Sequence, residues 1–120
     1  ISNTARSKNV SYDEKDLGVN RPEELMIYDN SMEALGIKKG STVIYSFLRD
    51  EPIIGNIYIA RSKGKLVLRR LWSHGDYYIL IPCSNDLSYE VDVVHREDSE
   101  IIGIPIGYYT KIDQVPPQRE

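Results

Sequence analysis

The sequence predicts a mostly β domain with a coiled, partly barrel-like sheet. Three observations carry that prediction. Short apolar runs alternate with turn residues at close intervals, and no stretch keeps a long helical period. Two of the runs, "STVIYSF" and "YYILIP", are apolar at successive positions, so both of their faces need cover. A sheet folded over on itself supplies that cover.

Each element follows from its residues. The first twenty residues are polar and aperiodic, and "RPEE" at 21–24 reads as a turn, so residues 1–24 are expected to form an arm or linker. The β domain is then expected over residues 25–112. "LMIYD" reads as its first strand. "SMEALG" at 31–36 gives one helical turn, with Ser31 or Asn30 as its cap and Gly36 as its stop. "KKG" turns into "STVIYSF", and "RDEP" turns before the strand "GNIYIAR". "SKGK" has hairpin composition and leads to "LVLRRLW". "SHGD" turns into "YYILIP", "CSNDLS" is polar, and "YEVDVV" is a further strand. "HREDSE" precedes the apolar run "IIGIPIGYY". Pro105 cannot donate to a ladder, so this last strand is expected to be an edge, a bulge or a pairing site for another chain. Residues 113–120 read as a loose tail.

The composition narrows the function. A chain of 120 residues suits one domain with a modest core. Its formal net charge of −3 lacks the basic surplus that neutralises phosphates, so direct nucleic-acid reading by this segment is not expected. A single cysteine, Cys83, excludes an internal disulfide and reads as a reduced, cytoplasmic setting. Apolar runs fall short of the roughly 20 residues of a membrane helix, so no membrane partner is expected. No cofactor or metal is expected either. The chain opens on Ile1 rather than methionine, which reads as a fragment.

Ser31 on its own carries little information. A serine hydroxyl is a weak nucleophile until a positioned base takes its proton. The two histidines, His74 in "SHGD" and His95 in "HREDSE", have no triad spacing and read as surface residues. A lysine with a depressed pKa is the other base available to a serine.

At this point several blocks, in order, resemble the C-terminal domain of the LexA-type and phage-type repressors, the Ser-Lys self-cleaving peptidases that include UmuD-like proteins. "MIYDNSMEALGIKKGSTVIY" resembles that family's serine block, with Ser31 and Met32 as its Ser-Met pair and Asp29 where glycine is usual. "IIGNIYIARSKGKLVLRRL" is similar to its base-bearing hairpin, and "IIGIPIGYY" to its closing strand. The resemblance spans roughly residues 25–110. It implies a LexA-like fold, Ser31 as the nucleophile, and an oxyanion pocket in the backbone N–H groups of Asn30 and Ser31.

The departure is at the base. The family's lysine falls on Arg69, whose guanidinium has no accessible neutral form. Lys65 lies on the same strand but four residues away, roughly 13 Å along it. No Ala-Gly or Cys-Gly scissile dipeptide of the kind the family uses occurs in residues 1–30. The expectation is therefore a dimerisation and regulatory domain of a DNA-binding repressor, with the serine kept and the base lost. DNA is expected to be reached only through an N-terminal module outside this sequence, and a regulatory protein is a candidate partner. An active self-cleaving peptidase and a UmuD-like accessory subunit are the alternatives. The resemblance assigns homodimer pairing to the closing strand, with Ile102, Ile104, Ile106 and Tyr108 as interface candidates.

Overall fold

The computed structural model describes residues 21–111. The expected tail at 113–120, and the arm up to residue 20, lie outside the described residues. Seven strands form one antiparallel sheet: β1 Glu23–Met26, β2 Thr42–Phe47, β3 Ile57–Ser62, β4 Lys65–His74, β5 Tyr77–Ile81, β6 Asp92–His95 and β7 Glu100–Tyr109. Their spatial order is β1-β2-β7-β3-β4-β5-β6. The sheet curls into a half-barrel, so that residues 25–29, at and after β1, and residues 65–69 of β4 line one groove.

Local chemistry explains most boundaries. The β3–β4 hairpin closes on Lys63 and Gly64, with φ of 53° and 81°. Two consecutive positive φ values are the hairpin-compatible geometry that "SKGK" predicts. A short 3₁₀ turn, Glu33–Leu35, ends on Gly36 at φ 86°, again as its sequence predicts. A second 3₁₀ turn, Arg96–Asp98, is capped by His95, whose Nδ1 accepts from the Glu97 amide at 3.2 Å.

The sheet carries apolar cover on both faces of its central strand. Ile57 and Ile59 of β3 pack into a cluster with Ile27, Met32, Val43, Tyr45 and Leu68. Tyr58 and Ala60 pack into a second cluster with Leu71, Tyr78 and Leu80. The expectation of two covered faces for "STVIYSF" and "YYILIP" is corrected by this arrangement. Val43 and Tyr45 of β2, and Tyr78 and Leu80 of β5, are buried, while Ile44 and Ile79 on the opposite faces are only half-buried. It is β3, flanked by β7 and β4, that is covered on both faces.

Three further boundaries differ from expectation. Glu23 and Glu24 are not a turn: they pair with Tyr45 and Ile44, and the strand ends at Met26 rather than running through residue 29. β1 is an edge strand with mostly exposed side chains, so its polar residues carry no strand signal. Ser73 and His74 belong to β4, leaving Gly75 and Asp76 as the turn.

β7 corrects the simple edge reading of Pro105. The strand lies between β2 and β3. Its first part pairs with β3 up to Gly103, and residues 103–109 pair with β2. The register with β2 slips between Ile44 and Tyr45, whose partners are Gly107 and Pro105, so a bulge falls beside the proline. Beyond Gly103, β2 is the only ladder partner of β7 among the described residues. Pro105 therefore occupies a half-paired stretch that requires fewer donors. Among the described residues no helix is long and apolar enough to cross a membrane.

Candidate functional site

Ser31 is 2 % exposed and lies just before the 3₁₀ turn. It is not the cap of that turn. The cap position is Met32, which makes no side-chain capping bond. Met32 is fully buried in the first cluster and anchors the segment. Backbone bonds then stitch the segment to the loop after β5: the Cys83 amide donates to the Ser31 carbonyl at 2.7 Å, and the Ala34 amide to the Cys83 carbonyl at 2.9 Å. The β4–β5 ladder involves only residues 70–74 of β4, so the serine segment sits beside the part of β4 that β5 leaves unpaired.

Arg69 projects from that part of β4. Its Nη1 donates to Ser31 Oγ at 2.9 Å and to the Leu68 carbonyl at 2.8 Å. The sequence places these two residues 38 positions apart, and the fold brings their side chains into contact. Burial pulls the Arg69 guanidinium below its ordinary value, opposed first by the Asp29 carboxylate and then by Asp92, Cys83 and Tyr89. An arginine lowered from such a high starting point still donates and does not accept. Arg70, next in the strand, turns away and donates to the Gly55 carbonyl at 2.7 Å.

Asp29 completes the contacts of the serine. Its Oδ1 accepts from Ser31 Oγ at 2.7 Å and from the Ser31 amide at 3.0 Å. Ser31 thus lies between an arginine donor and a carboxylate acceptor. The ion pairs of the described residues lie elsewhere, at Arg61–Glu100 and Lys63–Asp92. The Asn30 amide donates to the Tyr89 hydroxyl at 3.1 Å, and the Asn30 Oδ1 accepts from the Lys39 amide at 2.9 Å. Both amides that the family resemblance assigns to an oxyanion pocket therefore have internal acceptors.

A groove of about 610 Å³ opens beside this cluster, between residues 25–29 and 65–69. Leu25, Ile27, Leu66 and Val67 give it apolar walls, and Asp29, Ser31 and Arg69 border it. Lys65 also borders it, exposed at the hairpin end of β4; the contact with Ser31 belongs to Arg69.

The sequence reading found Ser31 and Arg69 but missed Tyr89 and the double role of Asp29. Tyr89 is 59 residues from Asn30 and offers no local signal. Asp29 did offer one, since an Asp two residues before a backbone donor is a common local turn pattern. His74 and His95 make no contact with the serine; His95 stacks edge-on against Tyr77 at 5.3 Å. Of the four interface candidates, Ile102 packs against the first cluster, while Ile104, Ile106 and Tyr108 are exposed.

The family model described as Peptidase S24-like covers residues 4–106, which include Ser31, Arg69 and β7 as far as Ile106. No curated protein matches the chain significantly.

Proposed function

We propose, from the premise that the chain belongs to the peptidase S24-like family, that it is the dimerisation and regulatory domain of a cytoplasmic DNA-binding repressor that no longer cleaves itself. The observation that carries this reading is the direction of one hydrogen bond. Arg69 donates to Ser31 Oγ at 2.9 Å, where cleavage requires a group that takes the serine proton. An oxyanion pocket or a substrate groove alone does not replace that base.

Dimerisation draws support from β7. Beyond Gly103 the strand has β2 on one side, and its exposed Ile104, Ile106 and Tyr108 need cover. A second copy, pairing antiparallel across a two-fold axis, supplies both a ladder partner and apolar cover. Such a dimer holds two DNA-reading modules at the spacing of a two-fold operator. The net charge of −3 fits a domain that leaves phosphate contacts to those modules. The groove beside Ser31 suits an extended peptide of a regulatory partner, held without being cut.

Sedimentation equilibrium from low to high micromolar concentration tests the reading. The expected result is a mass rising to twice the 13.8 kDa of the chain. A monomer mass throughout would contradict it.

A further inference from the structure

The arginine is one of two groups that hold Ser31. For acyl transfer, a serine hydroxyl must release its proton to a base while nearby backbone N–H groups stand ready for the developing oxyanion. Here a single carboxylate oxygen, Asp29 Oδ1, takes both functions away. It accepts the hydroxyl at 2.7 Å and the Ser31 amide at 3.0 Å. A carboxylate is far less basic than a neutral lysine amine, so it orients the hydroxyl proton with much less drive to remove it. It also places negative charge where a second anion would have to form, and like charges at such range repel. The neighbouring amide of Asn30 is engaged with the Tyr89 hydroxyl.

We infer that Asp29 is a positioning residue that silences Ser31 independently of Arg69, by filling the serine's own oxyanion-binding amide from within the chain. This inference rests on the reading of Ser31 as a retained nucleophile position. Its consequence is specific: restoring a lysine at position 69 leaves the serine slow to react until Asp29 is also removed.

A fluorophosphonate probe tests this with the full chain, read by intact mass between pH 7 and 10. In the reaction Ser31 Oγ bonds to phosphorus, fluoride departs, and the hydroxyl proton passes to the amine of the introduced lysine. Wild type is expected to stay unlabelled, and Arg69→Lys to label only slowly. Asp29→Ala combined with Arg69→Lys is expected to label about a hundredfold faster than Arg69→Lys alone, since freeing one oxyanion donor is worth that much. Its rate should climb with pH as the lysine loses its proton. Asp29→Asn with Arg69→Lys should stay slow, because the amide oxygen keeps both acceptor contacts. Equal labelling of Arg69→Lys and Asp29→Ala/Arg69→Lys would overturn the inference, as would failure of the latter to label. Rapid labelling of the wild type would overturn both the inference and the proposed function. A second readout needs no reactive variant. Asp29→Ala alone should speed hydrogen exchange at the Ser31 amide while leaving that of Val43, in the β2 ladder, unchanged; unchanged exchange at Ser31 contradicts the inference.

Discussion

Ile104→Asp is expected to turn the proposed dimer into a monomer while leaving the β circular dichroism signal intact. Ile104 is 39 % exposed, so the folded monomer accommodates a charge there. In the proposed dimer the same side chain is covered, and the two-fold axis counts its loss twice. Full burial of an isoleucine is worth about 1.5–3 kcal/mol, and an unpaired buried carboxylate costs more. The dimer dissociation constant should therefore rise about a hundredfold or more. Ile102→Asp separates interface from core. Ile102 packs against the first apolar cluster, so its replacement should lower the melting temperature and weaken the β signal. Loss of β structure in Ile104→Asp would place Ile104 in the core and the interface elsewhere.

Gly103→Ala is expected to destabilise the fold by about 2–3 kcal/mol. Gly103 is where β7 passes from β3 to β2. A methyl group there would sit 2.4 Å from Tyr45 Cδ2 and 3.0 Å from the Ser46 carbonyl oxygen. The carbonyl belongs to the β2 backbone and has little room to yield. The Tyr45 ring is buried and meets Phe47 edge-on at 5.9 Å, so it cannot move without disturbing that pair. The melting temperature should fall by roughly 10 °C or more, with loss of near-ultraviolet dichroism from the tyrosine. An unchanged melting temperature would show that the strand crossing tolerates a side chain.

The sequence made some of this legible through local chemistry. Lys63 and Gly64 marked the hairpin because few residue pairs accept two positive φ angles. Ser31 and Arg69 were paired through the order and spacing of blocks, and the fold joins them by a hydrogen bond. The illegible parts are non-local or masked by exposure. Glu23 and Glu24 form a strand on an edge, where no apolar face is required. The insertion of β7 between β2 and β3 depends on pairings far apart in the chain, and Pro105 argued against a central place. The proline is tolerated because it lies past Gly103, beside a bulge and with one ladder partner. The contact of Tyr89 with the Asn30 amide arises only when the loop after β5 reaches the serine segment.

The central claim is that Ser31 lacks the lysine base of a self-cleaving site: Arg69 donates to its hydroxyl, and Asp29 holds that hydroxyl in place. The direct measurement is incubation of the wild-type full-length protein between pH 7 and 10, with fragments followed by mass and Ser31→Ala as the control. A lysine base would lose its proton as pH rises and accelerate cleavage, whereas the Arg69 guanidinium remains a donor across that range. The account predicts an intact chain at every pH, indistinguishable from Ser31→Ala. Cleavage that quickens with pH and vanishes in Ser31→Ala would contradict it.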